Sequence, residues 1–285
     1  MIPAQFDYES PRNLNEALDL LSSRDDAKLL AGGHSLLPAM KLRLAAPSLL
    51  IDLGRIAGLD TIRDAGDRII VGALTTHTAV ASSKLLHDAS PLLAQAAHEI
   101  GDVQVRNRGT IGGSLAGAHP AADYPAAILA LDADIVALSR KGERVIPARE
   151  FFSGMFTTSL RPDEIITEVR VPKTTGAATA YKKFHHPASG YAVVGVAVVV
   201  KVGGGSVQSV AIGITGVGEV AYRATFTENA LRGKPTSEVA EAAKHAAEHI
   251  DAIGDSFASA EYRKHMAEVY TRRALQQAIT GKSGK

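Results

Sequence analysis

The first fifth of the chain alternates between helical and extended hydrophobic spacing. Asn13 and Glu16 form a capping box ahead of apolar residues that recur three or four positions apart. Short apolar runs between polar segments predict strands, and a Gly-Gly pair separates the first strand from a second helix. We predict a helix from residue 13, a strand at 28–31, a helix at 36–44 and a strand at 49–53.

The central part of the chain repeats this alternation and then changes to strands. We predict helices at residues 75–82, 91–100 and 125–131, and strands at 68–71, 134–139, 144–147 and 165–171. Residues 102–114 are rich in turn-forming and hydrogen-bonding side chains, so they predict a second glycine turn.

Composition shifts to Thr, Gly and Ala at residues 172–178, which predicts a domain boundary. Beyond it, strands at 191–202 and 207–215 flank three glycines, and helices follow at 237–250 and 260–279. The pattern predicts an α+β protein in three parts. These are an N-terminal α/β part (1–56), a second α+β part (57–175), and a C-terminal part of antiparallel sheet plus helices (176–285).

Composition and charge narrow the classes of function. The 285 residues carry a net charge of +1 without a basic run, so no nucleic-acid partner is expected. The chain has no cysteine, so it cannot itself hold an iron–sulfur cluster or a cysteine-type zinc site. No signal peptide is apparent, and the longest apolar run, residues 192–200, is far short of the ~20 that span a membrane. We expect a cytoplasmic protein.

Two Gly-Gly pairs, each near a serine, are the candidate chemistry. Glycine allows positive φ and close approach of a ligand, so successive backbone N–H groups can surround an anion. A helix start adds free donors, and Ser35 and Ser114 add hydroxyls. Two such turns could hold the two phosphates of a dinucleotide. The alternative is that each pair is only a tight turn, and neither matches a Rossmann or P-loop fingerprint.

In their surroundings these motifs resemble the FAD-binding medium subunits of molybdenum hydroxylases, the carbon monoxide dehydrogenase and xanthine dehydrogenase family. The similarity is nearest in character to the carbon monoxide dehydrogenase branch and extends along essentially the whole chain. The stretches that carry it are residues 30–38, 106–114, 120–126 and 189–195, with Glu261, Tyr262, Arg263, Arg272, Arg273 and Ala274 in the tail.

The resemblance implies a two-part FAD-binding domain of the vanillyl-alcohol-oxidase (PCMH) type, followed by a C-terminal domain. It also implies that both glycine segments surround the FAD pyrophosphate. The family often has Asn where this chain has Ser114. The residues concerned are Ala31, Gly32, Gly33, His34, Ser35, Leu36, Thr110, Ile111, Gly112, Gly113 and Ser114.

Four further residues match family contacts, and each has a structural alternative. Asp123 matches an acidic contact to the ribityl or adenosine side of FAD, or is a helix N-cap. Ile166 matches a backbone contact near the adenine, or is strand core. Lys183 (or Lys182, if the register slips) matches a lysine near the flavin, or lies on a solvated strand face. Tyr191 matches a residue beside the isoalloxazine ring, or is a core strand aromatic, which the residue pattern alone favours.

The remaining histidines of interest are predicted to have no catalytic or metal role. His34 and His119 lie in or near the glycine segments without an acid or nucleophile partner nearby in sequence, so we interpret them as lining residues. His185 and His186 are adjacent on a strand and point to opposite faces, which argues against a shared metal ion.

The resemblance implies no substrate chemistry and no catalytic residue in this chain. Substrate would be oxidised at a molybdenum cofactor in a large subunit, and electrons would reach this FAD through two [2Fe–2S] clusters of a small subunit. An external acceptor would then take them. The assembly would be a dimer of heterotrimers, with any membrane association only through that complex. The alternatives are a self-contained FAD oxidase and a non-catalytic assembly subunit.

Overall fold

A computed structural model describes residues 2–281, and its N-terminal part is a small parallel sheet. The sheet has the order β1-β3-β2, and both strand pairs are parallel. Because parallel strands cannot be joined by a tight hairpin, crossover segments connect them. Asn13 caps the first crossover helix by accepting from the Glu16 amide, as the capping box predicts. The elements are β1 (Asp7–Glu9), α1 (Leu14–Leu21), β2 (Lys28–Leu30), α2 (Leu36–Lys41) and β3 (Leu49–Asp52).

The second part is an antiparallel sheet with a run of helices inserted between its strands. The strand order is β4-β5-β10-β6-β7, and a small β8–β9 ribbon lies beside it. The strands are β4 (Ile62–Asp64), β5 (Arg68–Gly72), β6 (Asp134–Ser139), β7 (Gly142–Pro147), β8 (Phe152–Gly154), β9 (Thr157–Thr158) and β10 (Ile165–Pro172). The helices are α3 (His77–Ser82), α4 (Lys84–Ala89), α5 (Pro91–His98), α6 (Val103–Arg108), α7 (Ile111–Gly117) and α8 (Asp123–Ala130).

The third part is an antiparallel sheet of order β11-β12-β13-β14 covered on both faces. The long helix α11 packs on β11 and β12, while α8 of the second part packs on β12 and β13. Burial on both faces explains the near-continuous apolar run of β12. The elements are β11 (Ala178–His185), β12 (Ala192–Gly203), β13 (Ser206–Thr215), β14 (Tyr222–Arg223), α9 (Thr225–Leu231), α10 (Val239–Ala242) and α11 (Ala260–Thr280).

Helix α8 joins the second and third parts. All its residues are buried, as expected for a helix that is apolar on every side. Gly213 of β13 lies so close that a Cβ there would be 2.0 Å from the Ala126 carbonyl oxygen. The core of the second part also takes in Tyr181 and Ala197 from the third. The two parts therefore share one continuous hydrophobic core.

The expected α+β arrangement, a two-part domain followed by an antiparallel sheet with helices, is confirmed. One helix differs from its prediction, because residues 237–250 do not form a continuous helix. Short 3₁₀ turns at Thr236–Glu238 and Ala243–His245 flank the single turn of α10. Ala242 and Ala246 are buried in the core against α11, and their small side chains allow this tighter winding to pack closely. Among residues 2–281, no helix combines the length and apolar character that crossing a membrane requires.

Candidate functional site

The first glycine segment, residues 31–36, leaves β2 and enters α2. Gly33 has φ +76°, a backbone conformation that side chains other than glycine rarely adopt. A Cβ on Gly32 would lie 2.1 Å from the Arg108 carbonyl oxygen. The segment therefore packs directly against the end of α6, which only a residue without a side chain permits.

The backbone amides of residues 32–36 are the free donors of the site. Within residues 2–281 none of these N–H groups donates to a backbone or side-chain acceptor, and the first bond of α2 runs from the Leu37 amide to the Gly33 carbonyl. His34 folds back, with its Nδ1 3.1 Å from the Gly32 oxygen. Consecutive unsatisfied amides at a helix start favour an anionic ligand such as a phosphate.

The second glycine segment is helical, which corrects the predicted turn. Asp102 caps α6 by accepting from the Val105 amide, and Thr110 caps α7 by accepting from the Gly113 amide. Gly112 and Gly113 thus lie in the first turn of α7. Two N-caps eight residues apart outweigh the turn preference of the glycines and of Asn107 between them.

The amides at the start of α7 are already paired in this conformation. Ile111 donates to the Thr75 oxygen at 3.0 Å and Gly112 to the Ala73 oxygen at 2.9 Å. Gly113 donates to Thr110 Oγ1 at 3.2 Å. A Cβ on Gly113 would lie 3.7 Å from the Cβ of Ala31, so the two glycine segments face each other. The second segment therefore offers a closely packed wall, and the first offers the free donors.

Asp123 begins α8 and is paired across the boundary with the third part. The helix has Ala122 at its N-cap position, so the alternative of Asp123 as the cap is wrong. Its Oδ1 accepts from the Tyr181 hydroxyl at 2.6 Å, and its Oδ2 accepts from Lys183 Nζ at 2.9 Å. Lys183 also donates to the Glu99 carbonyl oxygen at 2.8 Å.

Burial shifts the pKa values of Asp123 and Tyr181 in this network. Burial raises the pKa of Asp123 above its ordinary value, while the Lys183 ammonium and the Tyr181 hydroxyl oppose that rise. Burial and the neighbouring carboxylate raise the pKa of Tyr181, so its phenol stays protonated and donates. Removing one partner of such a buried ion pair typically costs about 3–5 kcal/mol.

Lys183 is buried, so the alternative of a solvated strand face is wrong for this residue. Its side chain has 0% exposure, whereas Lys182 is half-buried. Successive strand residues alternate between faces, so Tyr181 and Lys183 share the face that meets α8. The structure therefore places Lys183, rather than Lys182, beside Asp123.

Tyr191 precedes β12 and is 38% exposed, so the alternative of a core strand aromatic is wrong. Its ring stacks on the His119 ring with centroids 4.1 Å apart. The Phe156 ring meets His119 edge-on, with centroids 5.2 Å apart. Partial burial raises the pKa of Tyr191, and a hydrogen bond with the Ser35 side chain opposes the rise. Tyr191 therefore reaches the first glycine segment.

Ile166 lies in β10, outside both glycine segments. It is buried in β10 opposite Ala137, where a register shift follows it. Its side chain belongs to the core of the second part. The described residues contain no cluster of three potential metal ligands, and His185 bonds instead to Glu99 at 2.9 Å.

His77 is a site neighbour that the sequence did not indicate. It is buried at the start of α3, with Nδ1 3.2 Å from the Tyr124 hydroxyl. A Cβ on Gly109 would lie 2.5 Å from its Nε2, so the imidazole packs directly against the backbone that leads into the second glycine segment. Burial, then the charges of His34 and Arg106, lower its pKa to about 4. No motif surrounds it in the sequence.

Comparison with known proteins agrees with this geometry. Residues 4–174 match the model of the FAD binding domain in molybdopterin dehydrogenase. Residues 179–278 match the carbon monoxide dehydrogenase flavoprotein C-terminal domain. Both glycine segments and Asp123 lie in the first match, and Tyr181, Lys183 and Tyr191 lie in the second.

The chain is also similar to individual proteins over nearly its full length. It is 42% identical to the carbon monoxide dehydrogenase medium chain of Hydrogenophaga pseudoflava, covering 98% of both chains. It is 39% identical to the 6-hydroxypseudooxynicotine dehydrogenase complex subunit alpha of Paenarthrobacter nicotinovorans, covering 98% of this chain and 96% of that one.

A solved structure shows the same fold. A chain of carbon monoxide dehydrogenase from Hydrogenophaga pseudoflava, in a form lacking the Mo-pyranopterin moiety, superimposes with a TM-score of 0.95 at 42% identity. The match covers 98% of this chain and 99% of that chain. The sequence, the fold and the paired glycine segments agree, and the chain belongs to the family of FAD-binding medium subunits of molybdenum hydroxylases, which are subunits of oxidoreductase complexes.

Proposed function

We propose that this chain binds FAD between its two glycine segments and serves as the electron-transfer subunit of a carbon monoxide dehydrogenase-like molybdenum hydroxylase. The observation that carries the proposal is the set of free amides at residues 32–36, facing the wall of α7. A pyrophosphate would satisfy these donors, because its oxygens accept hydrogen bonds and its negative charge is favoured at a helix start.

The proposed FAD-binding residues come from all three parts of the chain. The first segment would donate amides to phosphate oxygens, the second would line the opposite side, and Asp123 would accept from FAD hydroxyls. Tyr191 would lie beside the isoalloxazine ring and Lys183 near it, with Ile166 contributing its backbone near the adenine. The full set is Ala31, Gly32, Gly33, His34, Ser35, Leu36, Thr110, Ile111, Gly112, Gly113, Ser114, Asp123, Ile166, Lys183 and Tyr191.

When bound, FAD would accept electrons from [2Fe–2S] clusters of a partner subunit and pass them to an external acceptor. The protein's own residues would bind and orient the cofactor and set the charge around it. Lys183 provides a buried positive charge, which Asp123 partly neutralises at 2.9 Å. No acid–base chemistry on a substrate is assigned to this chain.

The proposed partners are a small iron–sulfur subunit and a large molybdenum subunit, assembled as a dimer of heterotrimers in the cytoplasm. The cysteine-free sequence supports this division, because clusters held by cysteine must lie elsewhere. The relatives are themselves named as a medium chain and as a subunit of a complex. A self-contained oxidase is disfavoured, because α8 and α11 cover both faces of the C-terminal sheet and leave no face to cap a substrate.

The decisive experiment identifies the cofactor and tests the first segment together. The native protein with its co-purified subunits is analysed by UV–visible spectroscopy, and the cofactor is released by denaturation. We expect FAD, accompanied by iron–sulfur absorbance. In Gly32→Ala the new Cβ would collide with the Arg108 carbonyl oxygen, so we expect the two glycine segments to separate. The FAD content should then fall roughly tenfold or more, corresponding to about 1–3 kcal/mol of overpacking.

The matched control is Gly117→Ala at the end of α7, where a Cβ would meet no atom within 4 Å. This variant should keep wild-type FAD content. A folded wild-type complex without flavin would contradict the proposal and favour an assembly subunit. Flavin without clusters in a sample that oxidises its substrate unaided would favour the self-contained oxidase.

A further inference from the structure

Tyr181 connects the C-terminal sheet to the candidate FAD site through one short hydrogen bond. It lies in β11, is 6% exposed, and belongs to the core of the second part. Its hydroxyl donates to Asp123 Oδ1 at 2.6 Å, while Lys183 on the same strand face donates to Oδ2 at 2.9 Å. Both oxygens of the carboxylate are thus held by residues two positions apart on one strand.

Space for the Tyr181 hydroxyl is provided by Gly195 of the neighbouring strand. Gly195 pairs with Lys183 in the β11–β12 register. A Cβ at this position would lie 2.4 Å from the Tyr181 hydroxyl oxygen and 2.8 Å from the Thr215 Cγ2. Any residue other than glycine would push the phenol away from Asp123. The glycine therefore has a specific role in this network, beyond strand geometry.

The two contacts fix the carboxylate in different ways. Lys183 supplies charge, and its ammonium can follow the carboxylate because its stem is flexible. The Tyr181 ring is held in the core, so its hydroxyl fixes the direction of Oδ1. With the phenol removed, Oδ1 loses the donor that fixes it, so the carboxylate is free to rotate toward Lys183.

We propose that Tyr181 is a positioning residue of the FAD site, whose phenol orients the Asp123 carboxylate within space that Gly195 keeps open. The inference rests on the proposed function, since Asp123 is taken to contact FAD. Tyr181 acts through Asp123 and is not itself assigned a contact with the cofactor. A tyrosine that only stabilised the fold would leave the bound flavin unchanged in any variant that still folds.

The test compares Tyr181→Phe with Tyr222→Phe. Tyr222 is the matched control, because its hydroxyl also donates one hydrogen bond, to the Ala246 carbonyl at 3.0 Å, within the C-terminal core. FAD affinity is measured on the full chain with its co-purified subunits, after reversible removal of FAD, and the visible circular dichroism of the flavin is recorded at saturation. We expect Tyr181→Phe to weaken FAD binding roughly tenfold, as for a lost hydrogen bond to a charged group, and to alter the flavin spectrum.

Tyr222→Phe should lower thermal stability, because it loses a hydrogen bond in the C-terminal core, while leaving both FAD readouts at wild-type values. Equal FAD affinity and identical flavin spectra for Tyr181→Phe and wild type would overturn the inference, as would equal losses in both variants. Those outcomes require a wild type that binds FAD, so they leave the proposed function intact. A wild type that does not bind FAD would overturn both.

A second variant tests the role of Gly195. Gly195→Ala should weaken FAD binding in the wild-type background by displacing the phenol. In the Tyr181→Phe background the same change should cost less, because the hydroxyl oxygen that it would strike is gone. A coupling of this kind between neighbouring sites is what a double-mutant cycle measures. Strictly additive effects would contradict the proposed link between the two residues.

Discussion

At the scale of single residues, the candidate site depends on buried polar groups whose partners lie far away in the sequence. Asp123 and Lys183 are 60 positions apart, and Asp123 and Tyr181 are 58 apart. His77 is held against Tyr124 and Gly109 in the same region. Burial raises the pKa of Asp123, Tyr181 and Tyr124 and lowers the pKa of His77, so these four groups link the environment of the site to pH.

The buried His77 imidazole should make the free energy of unfolding depend on pH in the acid range. Its pKa is lowered to about 4 in the folded protein from an ordinary value of 6.5. Between these values the unfolded chain binds a proton that the folded chain does not, so stability falls as pH falls from about 6.5 to about 4. At about 1.36 kcal/mol per pH unit, the loss is about 3 kcal/mol. His77→Gln should remove this part of the pH dependence, measured by urea unfolding at pH 7 and pH 4.5.

Exposed His265 on α11 provides the control. His265→Gln should retain the wild-type difference in unfolding free energy between the two pH values. Asp123, whose pKa is raised, contributes with the opposite sign, but it is present in every variant and cancels in the comparison. A His77→Gln protein with an unchanged pH dependence would show that this imidazole is not the group responsible.

Residue identity in the site was predictable only where a local motif marks it. The glycine pairs, Asp123 and Lys183 could be proposed as site residues from the sequence, because their types and order match the family pattern. The Tyr181–Asp123 bond could not, because nothing local pairs two residues that meet only when α8 packs on the C-terminal sheet. The pattern places Tyr191 in a strand, because an apolar run adjoining an aromatic residue suggests burial of both, whereas β12 begins only at Ala192.

At the scale of elements, local signals located most helices and strands. The capping box of α1, the hairpin of β6 and β7 and the long helix α11 agree with the sequence pattern. The segment at 102–114 did not, because its caps were outweighed in the prediction by its turn-forming residues. Residues 237–250 differ because tertiary packing of alanines, which no periodicity records, sets their winding.

Arg263 fixes helix α11 to the C-terminal sheet. Buried Arg263 donates to the carbonyl oxygens of Val193 at 2.7 Å and Gly216 at 2.6 Å, and to Asp255 at 2.5 Å. It thereby ties the helix to the ends of β12 and β13. Arg263→Met keeps the stem but leaves both buried carbonyls without this donor, so we expect a loss of about 2–4 kcal/mol in the free energy of unfolding. Chemical denaturation measures it.

The comparison for this helix is Arg273→Met. Arg273 is exposed and lies over the Tyr270 ring at 5.1 Å, a contact worth only about 0.5–1 kcal/mol. The Arg263 variant should therefore be clearly less stable than the Arg273 variant. Equal stabilities would mean that the bonds to Val193 and Gly216 do not hold the sheet to the helix.

At the scale of the whole molecule, the shared core around α8 makes the parts interdependent. Gly213 and Ala126 meet backbone to backbone, and Thr215 of the same strand donates to the Pro120 carbonyl at 2.8 Å. Asp123 lies on the helix that this contact positions. Stability of the domain junction and occupancy of the site should therefore change together.

Gly213→Ala tests this dependence. Its Cβ would lie 2.0 Å from the Ala126 carbonyl oxygen, so α8 must move away from the sheet. We expect a loss of about 1–3 kcal/mol in the free energy of unfolding, as for overpacking, together with weaker FAD binding. Denaturant unfolding and FAD retention on gel filtration measure the two effects.

Gly203→Ala, at the end of β12, is the control. Its Cβ would approach only the flexible end of the Gln208 side chain, at 2.2 Å, which can move aside. Both measurements should stay near wild type in this variant. A Gly213→Ala protein that was destabilised yet bound FAD normally would show that the junction and the site are independent.

The ion pair between Asp123 and Lys183 also sets an order of events during synthesis. Asp123 leaves the ribosome 60 residues before its partner, which at about 5–20 residues per second is an interval of about 3–12 s. During that interval the nascent N-terminal segment carries a carboxylate whose counter-charge does not yet exist. A chain translated only as far as α8 therefore holds Asp123 without the Lys183 ammonium that neutralises it, and the buried ion pair can form only once β11 has also been made.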